Sequence, residues 1–228
     1  MIIPAILEEN FDEVKRKIKL LEDVASVVQV DIVDGTIVEG KTFSDIQKLR
    51  NINSETDISV HFMVKNPLEF IKTSIFFNIS NKTKIPTVST LVTQMIKSND
   101  LDNFINFSEK HGYKIGLSIN SDEDFTVLEP YLERLHLIQF MGVVPGKQGN
   151  PLIPKVLDKI KLFKNRFPDI KTQIDGGVNE TTLPRILETG VDNIVIGSAI
   201  FNSENPKEKF LEFSNIFNER TAHGSERN

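Results

Sequence analysis

The side chains that could do chemistry sit on three apolar runs. Residues 27–35 read VVQVDIVDG, a β-branched stretch that carries Gln29 and Asp31 two positions apart before it breaks at Asp34-Gly35. Residues two apart on a strand share a face, so Gln29 and Asp31 project together, a pair unsuited to an all-apolar core. SVHFMV sets His61 among Val60, Phe62, Met63 and Val64, and KTQIDGGV sets Asp175 between Ile174 and a glycine pair. Each run brings an ionisable group close to its C-terminal end. A parallel α/β sheet or barrel equips an active site in this way, with proton-exchanging groups at the carboxyl ends of its strands.

The elements that must position these groups alternate along the chain. Strands are expected at 1–7, 26–33, 58–64, 88–95, 113–119, 135–143, 172–175 and 193–199, from short β-branched or apolar runs. Between them, amphipathic helices are expected over 11–24, 43–49, 67–70, 100–111, 125–134, 154–167, 182–188 and 210–217. Asn10 caps the first, whose Phe11, Val14, Ile18 and Leu21 fall on one face, and Gly112 stops the fourth. The stretch SIFFNISNKTKIPT shows no clear period. Strands separated by helical crossovers imply a parallel sheet, and eight such units imply one (β/α)8 TIM barrel over 1–219, with 220–228 a disordered polar tail.

A chain of 228 residues, 39% of them hydrophobic, suits one large barrel better than two small domains. It has no cysteine, which excludes disulfides and thiolate metal sites. The start MIIPAILEEN is too short in apolar residues and too acidic for a signal peptide, and no 18-residue apolar stretch occurs, so a cytoplasmic protein without a membrane span is expected. A net charge of −5 with acids and bases interspersed argues against a nucleic-acid partner. Glycines gather after the late strands: Gly146 and Gly149 in VVPGKQGNP, Gly176 and Gly177 in DGGVNE, and Gly197 beside Ser198 in IGSAIF. Late barrel loops of this kind bind phosphate through main-chain N–H groups.

In order and across nearly the full chain, PAILEENF, VQVDIVDG, VHFMVKNP, GLSIN, MGVVPGKQG, IDGGV and IGSAIF resemble the motifs of ribulose-phosphate 3-epimerases. The resemblance implies a TIM barrel of the ribulose-phosphate-binding type and an enzyme of pentose phosphate metabolism. It makes Asp31 and Asp175 the acid and base, and implies a divalent zinc, iron or manganese ion held by both together with two histidines. One of these is His61 and the other falls on Gln29. Met63 and Met141 match methionines that line the family's site. Ala5 replaces a serine, Gln94 a histidine often found on strand four, and Lys147 and Gln148 depart from the usual loop six. A carboxamide oxygen at Gln29 coordinates less well than imidazole, so the resemblance implies weaker metal binding here.

Inverting C3 of a ketose phosphate means removing a proton beside the C2 carbonyl and returning one to the opposite face, hence two groups, one per face. Two carboxylates without a cation raise each other's pKa, so the pair itself argues for a positive partner, a metal or Lys147. The expected ligand is a small phosphorylated ketose, D-ribulose 5-phosphate first, with a homo-oligomer allowed. A six-carbon ketose phosphate and a non-catalytic sugar-phosphate-binding barrel are the alternatives. A lyase or decarboxylase barrel is disfavoured, because VHFMVKNP stands where D-x-K-x-x-D would on strand three.

Overall fold

The computed structural model describes residues 1–72, 87–95, 99–146 and 149–225. Lys147, Gln148 and most of the irregular SIFFNISNKTKIPT stretch lie outside the described residues. Eight parallel strands close into a barrel in sequence order: β1 (Ile2–Ile6), β2 (Val27–Val33), β3 (Asp57–Met63), β4 (Val88–Gln94), β5 (Lys114–Ile119), β6 (Leu137–Met141), β7 (Lys171–Asp175) and β8 (Asn193–Ile196). The last strand pairs with the first, Ile2 opposite Ile194 and Pro4 opposite Ile196. The helices are α1 (Phe11–Leu21), α2 (Pro67–Lys72), α3 (Asn99–Lys110), α4 (Lys155–Arg166), α5 (Leu183–Leu187), α6 (Ser198–Phe201) and α7 (Pro206–Ser225). Among the described residues no helix is long and apolar enough to cross a membrane.

Period-two patterning sorts each strand into an outer and an inner face. Outward residues build the main core against the helices: Phe62 meets Phe104 edge-on at 6.2 Å, and Phe140 meets Phe163 at 5.4 Å. Truncating one such ring, as in Phe163→Ala, costs about 3–5 kcal/mol. Inward residues are largely polar: Gln29, Ser59, His61, Ser118, Gln139 and Gln173 are all buried. A strand read as apolar from its outer face therefore carries a polar inner stripe.

Several expected elements differ in detail. The helices expected at 43–49 and 125–134 are 3₁₀ turns, Ile46–Asn51 and Phe125–Arg134. Pro130 inside the second removes an N–H that an α-helix would use. Strand eight ends at Ile196, and Gly197, at φ −99° and ψ −91°, turns the chain into α6 instead of prolonging the strand through Ala199. The final helix continues to Ser225, into the segment expected to be a disordered tail. Phe210, Phe213 and Phe217 anchor that helix to the core, and helix extension beyond an anchored turn adds one hydrogen bond per residue fixed. Asn10 caps α1 as expected, its Oδ1 accepting from Glu13 N at 3.0 Å.

Candidate active site

The strand register assembles the site. Asp31 lies opposite His61 between β2 and β3, and Asp175, the last residue of β7, lies opposite Met141, the last of β6. All point inward at the C-terminal end of the barrel. His61 Nδ1 is 3.2 Å from Asp31 Oδ1 and 3.4 Å from Asp175 Oδ2. Gln29 Nε2 donates to Asp31 Oδ1 at 2.8 Å and to Asp175 Oδ2 at 2.7 Å. The two carboxylates thus share an amide and an imidazole while being only 7% and 8% exposed. Asp31 is pushed up to about 6, by burial first; Asp175 adds to the rise, while the bonds from His61 and Gln29 oppose it. Burial by itself pulls His61 down, but its bonds to Asp175 and Asp31 and their charges overcome this and raise it to about 9.

Among the described residues, Asp31, His61 and Asp175 form a three-member group able to hold a metal ion. The 3.2 and 3.4 Å separations of Nδ1 from the two carboxylate oxygens match neighbouring donors about 2.1 Å from a common centre. A second observation supports the fit. Gln94 Oε1 is buried and, among the described residues, has no hydrogen-bond partner, while the same amide's Nε2 lies 3.2 Å from His61 Nε2. A histidine that ligates through Nδ1 carries its proton on Nε2 and needs an acceptor there; Gln94 turns its Nε2 to that atom, and reversing the amide would bring its orphaned oxygen there. Gln29, expected as a weaker oxygen ligand, turns its amide nitrogen to the carboxylates. Its oxygen accepts from Gln173 Nε2 at 3.0 Å.

Two openings adjoin the cluster. A cavity of about 720 Å³ has Gln94, Asn120, Val143, Gly146 and Asn150 in its lining. It adjoins the cluster through Gln94, whose Nε2 lies 3.2 Å from His61 Nε2. A smaller cleft of about 300 Å³ shares Val143 and Asn150 with the first and is lined by Gly149, Gly176, Gly177, Gly197 and Ser198. Gly146 carries φ +112°, and a Cβ there would meet Val38 Cβ at 3.2 Å, so it lets loop six pack on the loop after β2. Gly177, at φ +72°, is required by packing as well, since a Cβ would fall 2.6 Å from Leu152 Cα. Met141 Sδ is 3.5 Å from Gln139 Nε2, and Met63 ends β3 buried on the His61 face. Asp34 makes the turn, its Oδ1 accepting from Thr36 N at 2.9 Å.

Sequence reasoning did not single out Gln139 and Gln173. Gln139 Nε2 donates to Asp175 Oδ2 at 3.1 Å, and Gln173 Nε2 donates to Gln139 Oε1 at 2.7 Å. Each stands two residues before a residue that was singled out, Met141 and Asp175, the spacing that drew attention to Gln29 and Asp31. Asn120, whose buried Oδ1 has no partner among the described residues, was also missed.

Solved structures share this architecture. The 3-hexulose-6-phosphate synthase of Salmonella typhimurium superposes with a TM-score of 0.69 at 12% identity, covering 96% of this chain and 99% of its own. The orotidine 5'-monophosphate decarboxylase of Sulfolobus solfataricus gives 0.65 at 15% identity over 96% of this chain and 98% of its own. Both show the fold alone. In sequence, the ribulose-phosphate 3-epimerase of Escherichia coli K12 is 29% identical over 219 residues, 91% of either chain. That of Buchnera aphidicola is 28% identical over 214 residues, 90% of either chain. The family model for ribulose-phosphate 3-epimerases matches residues 1–201, so the chain belongs to the ribulose-phosphate 3-epimerase family.

Proposed function

We propose that this protein interconverts D-ribulose 5-phosphate and D-xylulose 5-phosphate by inverting C3 with Asp31 and Asp175. One observation carries the reading: carboxylates from β2 and β7 converge at the barrel mouth on the same amide nitrogen, Gln29 Nε2, at 2.8 and 2.7 Å. A C3 epimerisation needs one proton acceptor and one proton donor on opposite faces of the carbon, and two separately anchored carboxylates supply them. Burial raises Asp31 to about 6 in the absence of a cation. A divalent zinc, iron or manganese ion would be held by Asp31, His61 and Asp175 and, when bound, supplies Lewis-acid polarisation of the substrate oxygens.

The remaining residues orient the sugar phosphate. Main-chain N–H groups around Gly177, Gly197 and Ser198 take the phosphate in the smaller cleft. Asn120 lines the larger cavity, and its side-chain amide, whose buried oxygen has no partner among the described residues, takes a sugar hydroxyl. Met63 and Met141 form the apolar floor. The test is incubation of the purified protein with D-ribulose 5-phosphate in deuterated water, followed by NMR at C3. Formation of D-xylulose 5-phosphate with deuterium at C3 is the expected result. Absence of both turnover and exchange, with zinc, iron and manganese each supplied, would exclude the epimerase in favour of a barrel that only binds the sugar phosphate.

A further inference from the structure

Beneath the two carboxylates the barrel holds three glutamines whose amides leave little unpaired. Gln173 Nε2 uses both hydrogens, one to Gln29 Oε1 at 3.0 Å and one to Gln139 Oε1 at 2.7 Å. With their oxygens taken, both partners turn their nitrogens to the site: Gln29 toward Asp31 and Asp175 at 2.8 and 2.7 Å, and Gln139 toward Asp175 at 3.1 Å. Gln173 Oε1 in turn accepts from Asn193 Nδ2 at 3.4 Å, which sets its own sense. An amide has one donor end and one acceptor end. Reversing Gln29 would aim its carbonyl at two carboxylates and its NH₂ at that of Gln173. All three glutamines are buried, so no solvent offsets such a mismatch.

We propose that Gln173 is the positioning residue of this site. By donating to Gln29 and Gln139 it fixes the sense of both amides, so neutral N–H donors hold the carboxylate pair and Gln29 is denied the part of an oxygen ligand to a cation. The inference rests on reading Asp31, His61 and Asp175 as the proton-transfer and cation site. It deepens that reading by naming what sets the polarity of the side chains around it. Cation affinity then depends on a residue that touches neither carboxylate.

Two substitutions test this. Gln173→Glu offers only acceptors, so Gln29 and Gln139 turn their nitrogens down to it and present their oxygens to the carboxylate pair; Gln173→Met keeps the volume and removes the donors. Calorimetric titration with Mn²⁺ alone is run on wild type and Gln173→Glu, each with Gln29 intact and with Gln29→Met. Gln173→Glu is expected to tighten Mn²⁺ binding at least tenfold with Gln29 intact. In the Gln29→Met background the gain should be at least threefold smaller, the remainder being the attraction of the added charge and the reversed Gln139. Gains that agree within threefold in the two backgrounds overturn the proposal. Independently of metal and turnover, the Gln29 side-chain amide hydrogens, assigned by their loss in Gln29→Met, should exchange at least tenfold faster in Gln173→Met. Unchanged protection overturns the proposal even if Gln173→Glu fails to fold. Because this second measurement needs no catalysis, failure of the epimerase reading and failure of the positioning role are told apart.

Discussion

Replacing Asp175 by asparagine separates the proton-transfer role of the carboxylate from its structural one. Asp175 Oδ2 accepts from Gln29 at 2.7 Å and from Gln139 at 3.1 Å, and the carbonyl oxygen of asparagine can accept both bonds in the same place. What is lost is the charge and the ability to take a proton. Loss of one positioned acid or base lowers rates by about 10²- to 10⁴-fold, equivalent to about 2.7–5.4 kcal/mol in the barrier. The fold should survive, because the substitution also removes one of two neighbouring buried carboxylates. Asp31→Asn should behave likewise for epimerisation, and the two variants should differ in exchange. If each carboxylate serves one face of C3, each variant retains the group for the other face. Asp175→Asn should then wash deuterium into one epimer without inverting it, and Asp31→Asn into the other. The assay is proton NMR of each pure epimer in deuterated water with each variant. Exchange lost from the same epimer in both variants, or epimerisation within tenfold of wild type in either, would falsify the two-carboxylate mechanism.

Three further outcomes are expected. Gly197→Val, which puts a branched side chain at the smaller cleft, should raise KM for the sugar phosphate at least tenfold with kcat and melting temperature nearly unchanged; a KM within twofold of wild type would move the phosphate elsewhere. Gln29→His puts an imidazole beside both carboxylates and should tighten Mn²⁺ binding about tenfold or more by titration, a change that equal or weaker binding would contradict. Asp192→Asn should lower the melting temperature by about 2–4 °C, from about 1 kcal/mol after allowance for solvent screening at a side chain 38% exposed. Although burial opposes it, the Lys164 ion pair and the bonds from Thr172 hold Asp192 below its ordinary value of 3.8. A lowered folded-state pKa contributes stability that is present above 3.8 and lost as pH falls through the folded value. The difference between wild type and variant should therefore shrink in acid, and a constant difference from pH 7 to pH 2 would refute the assignment.

Eight strands, closure and the site strands were legible because a parallel barrel strand advertises itself twice. Its outer face gives the apolar run, and its inner face places a polar residue at the carboxyl end, as with Asp31, His61 and Asp175. Gln139 in LIQFM and Gln173 in KTQID were readable by the same spacing of two. They passed unnoticed because a glutamine, unlike an aspartate, does not demand a partner by charge. The direction of the Gln29 amide was not legible at all, since an amide reads alike from either end until its neighbours are known. Helix type was hidden for a related reason. Segment 125–134 has a helical apolar period that fits a 3₁₀ turn nearly as well, and only Pro130 argues for the tighter form.

The pairing of β1 with β8 has a consequence for how the chain is made. Ile2 finds its partner at Ile194, and the backbone of Met1 accepts from Ile194 N at 2.9 Å. During synthesis at about 5–20 residues per second, the first strand is complete roughly 10–40 seconds before its outer neighbour leaves the ribosome. Over that interval one edge of β1 stays unpaired, an apolar template open to any passing strand. Closure is then a single late step of very long sequence separation, the kind that sets slow folding rates. Nascent chains arrested before residue 196 should accordingly engage holding chaperones, and release should coincide with arrival of β8.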